Sequence, residues 1–223
     1  MNIASYIDHT FLKPATLYNE LKKVCEEAIQ YGFAAVCIPP SLVKQAKKMV
    51  AGSSVKVATV IGFPFGYSAI KAKLAEIDQA VTDEADELDT VINLIALKNG
   101  DWSFLEKEMG EITQKIHANN KLIKVIIETG LLTEEEIIRC CKIYAKLQVD
   151  FIKTSTGYSE KGVSVASVQL IRKHLPESVR IKASGGIRNY EFAKLLIEAG
   201  ADRLGCSASV EILTESRVPA KQV

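Results

Sequence analysis

Eight short, almost continuously apolar segments recur along the chain, alternating with segments in which apolar residues have helical spacing. Continuous apolar runs are typical of parallel strands whose two faces are both covered. The pattern therefore predicts an α/β fold built on a parallel sheet. The predicted strands are residues 5–9, 34–39, 55–61, 88–94, 122–128, 150–155, 179–183 and 202–206.

The segments between these strands carry the signals of helices. Thr133 followed by Glu136 is typical of an N-terminal capping box, and Gly200 stands where a helix would end. In the second helix, Ile70, Leu74, Ile77 and Val81 fall on one face. The clearest predicted helices are residues 16–31, 69–83, 102–119, 133–147 and 189–199.

Alternating strands and helices can form either an open doubly wound sheet or a closed barrel. Eight such units in 223 residues favour a (β/α)8 TIM barrel. The first strand is not followed by a GxGxxG segment, which disfavours the dinucleotide-binding alternative. Since no linker or change of composition interrupts the chain, we expect a single domain over residues 1–223.

Charge and composition disfavour several classes of partner. The formal net charge is +1 and basic residues are interspersed with acidic ones, so we expect no nucleic-acid partner. No run approaches the roughly 18 apolar residues that span a bilayer, and no secretory signal is evident, so we expect no membrane partner. The five cysteines are an odd number without a CxxC pair, which favours reduced thiols and a cytoplasmic location.

Three lysines lie inside predicted strands, where apolar residues are expected. Lys124, Lys153 and Lys182 follow one another at intervals of 29 residues, so they occupy similar places in consecutive units. A buried ammonium is costly unless it is paired or neutralised. A single such lysine would reach the barrel rim or pair with a carboxylate. Three of them in consecutive strands favour a chemical role.

Imine formation is the chemistry that such lysines suit. The attacking amine must be neutral, whereas the ordinary lysine pKa is about 10.4. Desolvation and a neighbouring cation both lower that pKa. Lys153 and Lys182, on adjacent strands, are candidates for the nucleophile and its neighbour, and their spacing fits either order.

Asp89 is the carboxylate most naturally directed at the same cavity. Its role is either a proton shuttle through water or a structural ion pair with Lys124 or Lys182. Asp8 and Glu128 are weaker candidates, because each lies near a strand end where a carboxylate is easily solvated.

Small residues follow the last three predicted strands: TSTG at 154–157, SGGI at 184–187 and GCS at 205–207. Each is an ordinary turn sequence by itself. Barrels of this type commonly bind phosphate with the loops after strands seven and eight, where glycine allows backbone N–H groups to approach the anion. The three segments together predict a phosphate site.

The histidines and Cys37 give weaker indications. His117 and His174 fall late in helical segments, away from the strand tops, and only His9 could face the site, so a zinc site is disfavoured. Cys37 is expected to line the pocket. We favour a packing role for this thiol over a nucleophilic one, because no histidine partner is evident.

Several segments resemble the signature segments of the deoxyribose-phosphate aldolases, in order along essentially the whole chain. They are IDHT at 7–10, ATVIGFP at 58–64, ELDTVIN at 87–93, KVIIETG at 124–130, DFIKTSTG at 150–157 and IKASGGIR at 181–188. The resemblance implies a Schiff-base aldolase of deoxyribonucleotide catabolism that uses no metal or organic cofactor. It would cleave 2-deoxyribose 5-phosphate to glyceraldehyde 3-phosphate and acetaldehyde as a homodimer or homotetramer.

The resemblance also implies roles for individual residues. Lys153 would form the Schiff base, with Lys182 as the second lysine, which lowers its partner's pKa and takes part in proton transfer. Asp89 would relay protons with Lys182 and water, and Lys124 would orient Asp89. The implied substrate and phosphate contacts are Thr10, Cys37, Thr156, Gly157, Gly185, Gly186, Gly205 and Ser207.

The chain departs from the family pattern at two places. Tyr158 stands where some members carry a lysine, so phosphate binding would rest more on backbone donors. Residues 215–223 contain no tyrosine, whereas some members end in one that assists a proton step, which water would replace here. The alternatives are a transaldolase-like or isomerase barrel with the same phosphate site, and a non-catalytic phosphosugar-binding barrel.

Overall fold

The computed structural model describes residues 2–217, and within them it confirms the predicted (β/α)8 barrel. Eight parallel strands follow one another around a closed barrel in chain order, and the first pairs with the last. The strands are β1 (Ile7–Thr10), β2 (Ala35–Ile38), β3 (Lys56–Ile61), β4 (Glu87–Val91), β5 (Leu122–Ile126), β6 (Phe151–Lys153), β7 (Arg180–Ser184) and β8 (Arg203–Cys206).

Helices surround the barrel and connect its strands. Within residues 2–217, no helix is long and apolar enough to cross a bilayer. Short 3₁₀ segments lie at Ile3–Tyr6, Pro40–Leu42 and Thr129–Leu131. The α-helices are α1 (Tyr18–Tyr31), α2 (Val43–Met49), α3 (Ile70–Thr82), α4 (Leu94–Lys98), α5 (Trp102–Ala118), α6 (Glu134–Lys146), α7 (Val165–His174), α8 (Tyr190–Glu198) and α9 (Ser209–Ser216).

The predicted elements are confirmed apart from differences at their ends. The capping box is present, since the Thr133 hydroxyl accepts from the Glu136 N–H and the Glu136 carboxylate from the Thr133 N–H. The predicted fourth strand, 88–94, is too long. The Asn93 side chain accepts a hydrogen bond from the Ala96 N–H and so begins α4 at the next residue.

The barrel interior has an apolar part and a charged part. On β2 and β3, Ala35, Cys37, Ala58 and Val60 form a small buried cluster separate from the main core. Because alternate residues of a strand face opposite sides, their strand neighbours pack outward against the helices, and these four face inward. The other strands supply the charged side chains, and the small residues of β2 and β3 leave space for them.

A fully buried ion pair outside the barrel was not predicted. Lys73 on α3 donates to the Glu108 carboxylate on α5 at 2.9 Å and to the Val91 carbonyl at the end of β4 at 2.8 Å. Gly62 makes room for this side chain, since a Cβ there would lie 2.7 Å from the Lys73 Cε. The pair ties the end of β4, the strand that carries Asp89, to two surrounding helices.

Candidate active site

A cluster of seven charged side chains fills the interior at the level of the strands, and six of the eight strands contribute to it. Its cations and carboxylates contact one another across strands that are distant in sequence. Six members are buried, and the Arg203 side chain is 13% exposed. The cluster consists of Asp8, Glu87, Asp89, Lys124, Lys153, Lys182 and Arg203.

Asp89 is the centre of this cluster. Its Oδ1 accepts a hydrogen bond from the Lys124 Nζ at 2.7 Å. Its Oδ2 accepts from the Nζ of Lys153 at 2.9 Å and of Lys182 at 2.7 Å. The structure therefore brings the three evenly spaced lysines together on one carboxylate. It shows the ion pairs considered for Asp89, and the proton-transfer role stays a prediction.

Asp8 and Glu87 belong to the cluster as well. The Asp8 side chain is fully buried, forms an ion pair with Lys182, and accepts from the Arg203 guanidinium at 2.6 Å. Glu87 lies 2.6 Å from the Lys124 Nζ. The expectation that Asp8 is easily solvated is wrong, because β1 directs it into the closed barrel. Glu87 and Arg203 were missed, although Glu87 lies two residues from Asp89 and therefore on the same face of β4.

The charges of the cluster shift its protonation equilibria. Burial alone would raise the pKa of the Asp8 and Asp89 carboxyls, but the neighbouring cations outweigh it and lower both. Burial alone would lower the pKa of Lys124 and Lys182, but the carboxylates outweigh it and raise both. The lowered pKa that imine formation requires is therefore not found at Lys124 or Lys182, whose charged forms are favoured.

Lys153 differs from the other two lysines in its access to ligand. It lines a cavity of about 520 Å³ at the carboxyl ends of the strands, here called the main cavity. Lys124 and Lys182 are fully buried below it and are absent from its lining. Within residues 2–217, Lys153 is thus the lysine of the cluster that a carbonyl compound in the main cavity would meet.

The glycine-rich turns line the main cavity together with Lys153. Gly157, Gly185 and Gly186 have φ values of +86°, +91° and +82°, a left-handed conformation that favours glycine. Gly205 and Ser207, from β8 and the turn before α9, line the same space. The lining of the main cavity therefore includes both backbone turns suited to an anion and the Lys153 side chain.

Arg188 also lines the main cavity. It follows the SGGI turn and is exposed, so its guanidinium is available to an anion from solvent. Sequence reasoning missed this residue, although it ends the IKASGGIR segment. With Tyr158 in place of a lysine, Arg188 supplies a positive charge at the glycine turns.

Thr156 lines the main cavity, but its polar groups are already engaged. Its backbone N–H and hydroxyl both donate to the Glu128 carboxylate. Glu128 is buried in a left-handed conformation at φ +57°, so the expectation that it is solvated at a strand end is wrong. Glu128 thereby fixes the start of the 154–157 turn.

Thr10 and Cys37 occupy different positions. Thr10 lines the main cavity, and its hydroxyl donates to the Asp8 carbonyl at 2.9 Å. Cys37 is not part of that lining but is fully buried below it, with its Sγ 4.0 Å from the Asp89 Oδ2. Burial raises the pKa of this thiol. The expectation that Cys37 lines the pocket is therefore wrong, because the side chain packs among Ala58 and its neighbours.

His9 does not face the site. It alternates with Asp8 and Thr10 on β1, so its ring points outward, where Nδ1 lies 2.9 Å from the Ser209 Oγ and Nε2 lies 2.9 Å from the Glu27 carboxylate. In the part of the chain that the structure describes, no three His, Cys, Asp or Glu side chains are grouped to hold a metal ion.

Tyr158 forms one wall of the main cavity. Its hydroxyl donates to the Leu12 carbonyl at 2.6 Å, and its ring meets Phe63 edge-on at a centroid distance of 5.3 Å. The tyrosine therefore closes the space between the β6 loop and the loops after β1 and β3. The tail without a tyrosine comprises residues 215–223. Residues 218–223 of this tail lie outside the residues that the structure describes.

The lowered carboxyl pKa values predict how stability depends on pH. Since Asp8 and Asp89 have folded pKa values below the ordinary 3.8, their stabilising contribution is present above that value and is lost as pH falls toward the folded values. The denaturant midpoint should be nearly constant between about pH 7 and 5 and fall below about pH 4. Chemical unfolding followed by circular dichroism at each pH measures this.

The control for the pH series is Asp78→Asn, which removes a carboxylate with a 62% exposed side chain. This variant should keep the parental pH slope. A parental midpoint that is unchanged or higher at pH 2 than at pH 4 would contradict the assignment of buried, ionised carboxylates.

Comparison with known proteins places this geometry in a family. The model of the DeoC/LacD family aldolases matches residues 3–208. The deoxyribose-phosphate aldolase of Caldanaerobacter subterraneus is 48% identical over 216 residues, covering 96% of this chain and 94% of that protein. That of Bacillus mycoides is 49% identical over 213 residues, covering 96% and 95%.

A solved structure agrees in both fold and extent. The tetrameric deoxyribose phosphate aldolase from Aeropyrum pernix superposes with a TM-score of 0.86 at 30% identity, over 96% of this chain and 91% of that one. The resemblance seen in the sequence segments is therefore confirmed over the whole length of the barrel. This chain belongs to the DeoC/LacD family of aldolases.

Proposed function

We propose that this chain is a class I deoxyribose-phosphate aldolase. It reversibly cleaves 2-deoxy-D-ribose 5-phosphate to D-glyceraldehyde 3-phosphate and acetaldehyde through a Schiff base on Lys153. The observation that carries the proposal is the access of Lys153, alone among three clustered lysines, to a cavity that glycine turns also line. Relatives at nearly 50% identity carry this name over the same length.

The charge balance of the cluster supports Lys153 as the nucleophile. Four cationic side chains meet three carboxylates, so the fully ionised cluster carries one unbalanced positive charge. Loss of a proton from one lysine leaves the cluster neutral. Lys182 contacts Asp8 and Asp89, and Lys124 contacts Glu87 and Asp89, whereas Lys153 has Asp89 as its carboxylate partner. Deprotonation therefore disturbs the fewest ion pairs at Lys153.

In the cleavage direction, the neutral Lys153 amine attacks the aldehyde carbon C1 of the open-chain sugar phosphate. Loss of water gives an iminium, which accepts electrons from the C2–C3 bond. Removal of the C3 hydroxyl proton breaks that bond and releases glyceraldehyde 3-phosphate. The enamine that remains on Lys153 is protonated at C2, and water hydrolyses the resulting iminium to acetaldehyde and free lysine.

Asp89 and Lys182 are placed to move these protons. The Asp89 Oδ2 contacts both the Lys153 and the Lys182 Nζ, so a proton that leaves Lys153 has an adjacent acceptor. Lys124 holds the Oδ1 and keeps the carboxylate oriented. A water in the main cavity completes the relay to the substrate oxygen.

The phosphate would lie against the turns that follow β6, β7 and β8. Their left-handed glycines expose backbone N–H groups, and Arg188 adds positive charge. Thr156 positions its turn through Glu128, and Thr10 lines the same cavity as Lys153. The phosphate contacts would be Gly157, Gly185, Gly186, Gly205 and Ser207.

Borohydride trapping tests the proposal directly. Reduction in the presence of acetaldehyde should leave an ethyl group on Lys153, located by peptide mass mapping, and omission of acetaldehyde should leave Lys153 unmodified. Turnover of the sugar phosphate would accompany trapping. Binding of the sugar phosphate without any adduct or turnover would instead indicate a non-catalytic barrel, and turnover of another ketose or aldose phosphate alone would indicate a different aldolase or an isomerase.

Gly186→Ala should raise the KM for deoxyribose 5-phosphate by about tenfold or more, because the methyl group covers backbone donors at the anion site and strains the turn. Gly186 has φ +82° and open space for a Cβ. Steady-state kinetics with the phosphorylated sugar and with unphosphorylated deoxyribose measure the effect, which should be confined to the phosphorylated sugar.

Gly52→Ala is the matched control for this substitution. Gly52 has φ +79° and equally open space, but it lies in a turn between α2 and β3, away from the main cavity. Both variants should lose about 1 kcal/mol of unfolding free energy. Equal KM values for the two variants would contradict the phosphate site.

The cellular setting is proposed on the same grounds. The five cysteines are buried free thiols, which supports a reducing, cytoplasmic location. The tetramer of the Aeropyrum pernix protein supports a homodimer or homotetramer. The reaction would serve deoxyribonucleotide catabolism and require no metal or organic cofactor.

A further inference from the structure

A second cavity of about 500 Å³ adjoins the main cavity above β1, β2 and β3. We call it the side cavity. Leu12, Lys13 and Tyr158 line both cavities, so they form the wall between them. Most of the remaining lining of the side cavity is apolar and includes Pro39, Leu42, Val60, Phe63 and Pro64.

The wall is held by few contacts. Tyr158 is about half exposed, and its side chain is fixed by the hydrogen bond to the Leu12 carbonyl and the edge-on contact with Phe63. Since one hydrogen bond anchors the ring, a ligand can displace it without unfolding an element of the barrel. The two cavities are therefore neighbouring compartments of one opening.

The floor of the side cavity reaches the reacting centre. Val60 lies in that floor and pairs in register with Asp89 on the neighbouring strand. Leu12 and Phe63 pack on the same inward cluster, in which the Cys37 Sγ lies 4.0 Å from the Asp89 Oδ2. The side cavity is thus one strand away from the carboxylate that binds Lys153, and an acceptor whose chain lies in it would reach Lys153 past the shared wall, in the main cavity.

The charges of the two cavities differ. Glu76 lines the side cavity, and its carboxylate accepts from the Gly62 N–H at 2.6 Å. Lys13, shared by both cavities, lies over the Phe11 ring with its Nζ 5.0 Å from the centroid. Arg188 and the glycine turns line the main cavity alone. A carboxylate within apolar walls disfavours a phosphate and favours an uncharged, apolar group.

We propose that the side cavity is a second acceptor subsite, for uncharged aldehydes with an alkyl or aryl chain. This inference rests on the proposed aldolase function in the direction of addition. The nucleophilic carbon of the Lys153 enamine forms a bond with the acceptor carbonyl carbon, and the carbonyl oxygen takes up a proton. Water then hydrolyses the iminium, which releases a 3-hydroxyaldehyde and regenerates the lysine amine.

Filling the side cavity tests the subsite. Ser41 lines it from an exposed position, so Ser41→Trp would occupy its space. With acetaldehyde as donor, the variant should lower kcat/KM for 3-phenylpropanal by about tenfold or more, and that for glyceraldehyde 3-phosphate by less than about twofold. Gln45→Trp is the matched control, because Gln45 is exposed nearby on α2 and does not line the cavity. It should change neither value.

Binding without chemistry separates the subsite from the aldolase function. In a Lys153→Leu background, the unreactive 3-phenylpropanol should give saturation-transfer NMR signals, and adding Ser41→Trp should remove them. If circular dichroism shows that Ser41→Trp is unfolded, Thr16→Trp is used in its place, because Thr16 also lines the side cavity.

The outcomes are distinct. Binding of the alcohol without turnover of either acceptor by the parent protein overturns the proposed function and leaves the subsite standing. Two results would overturn the subsite while leaving the aldolase function intact, provided that the parent protein turns over both acceptors. Either Ser41→Trp lowers kcat/KM equally for both acceptors, or 3-phenylpropanol does not bind.

Discussion

Replacing Lys153 with leucine is expected to lower kcat by about four orders of magnitude or more, because no other amine of the cluster reaches the main cavity. The fold should survive. Without Lys153, three cationic side chains remain beside three carboxylates, and Asp89 keeps its hydrogen bonds to Lys124 and Lys182. The unfolding free energy should therefore stay within about 1 kcal/mol of the parent. Acetaldehyde release and denaturant unfolding measure the two effects.

Lys182→Leu is the informative comparison, since it removes a lysine from the same layer of the barrel. It should also abolish activity, but it removes two fully buried ion pairs, one with Asp8 and one with Asp89, whereas Lys153→Leu removes one. Its unfolding free energy should fall by about 3–5 kcal/mol. If Lys153→Leu releases acetaldehyde at the parental rate, Lys153 is not the nucleophile.

Replacing Asp89 with asparagine is expected to affect both stability and catalysis. The neutral amide leaves four cationic side chains, three of them buried, with two carboxylates. An unpaired buried charge costs about 3–5 kcal/mol of unfolding free energy. Activity should also fall by at least about a hundredfold, because the oxygen shared by Lys153 and Lys182 no longer accepts a proton. Guanidinium unfolding and single-turnover trapping with acetaldehyde report the two losses.

A second substitution tests whether charge balance is the reason. In Asp89→Asn with Lys124→Met, three cations face Asp8 and Glu87, so the excess of one positive charge in the parent is restored. The double variant should be more stable than Asp89→Asn alone. Asp78→Asn, which removes an exposed carboxylate, should lose less than about 0.5 kcal/mol. If Asp89→Asn is as stable as Asp78→Asn, the cluster does not depend on this carboxylate.

The parts of the site that follow from strand periodicity could be predicted from the sequence. Three lysines at equal spacing in consecutive units fall on neighbouring strands, and Asp89 lies inside an apolar strand. The exact register did not follow from the spacing, since Lys153 pairs with Lys182 whereas Lys124 pairs with Phe151. Glu87 could have been predicted in the same way, because it lies two residues before Asp89 and therefore on the same face of the strand. The role of Asp8 could not have been predicted in this way, since Lys182 and Arg203 become neighbours of Asp8 only when β1 pairs with β8.

Features that depend on local backbone geometry could not be predicted from the sequence pattern either. Glu128 is buried because a left-handed residue turns its carboxylate toward Thr156. The predicted apolar face of α3 omitted Lys73, which is buried because Gly62 leaves space and Glu108 supplies a counter-charge from another helix. Such compensation across elements leaves no periodic signal in the chain.

The ion pair between Asp8 and Arg203 joins residues 195 positions apart. During synthesis, β1 leaves the ribosome long before β8. For most of translation, Asp8 therefore lacks the Arg203 guanidinium with which it pairs in the folded protein. A nascent chain that lacks β8 cannot complete the charged centre, and contacts of such long range make folding slow. We therefore expect the charged cluster around Lys153 to be completed only when the last strand pairs with the first.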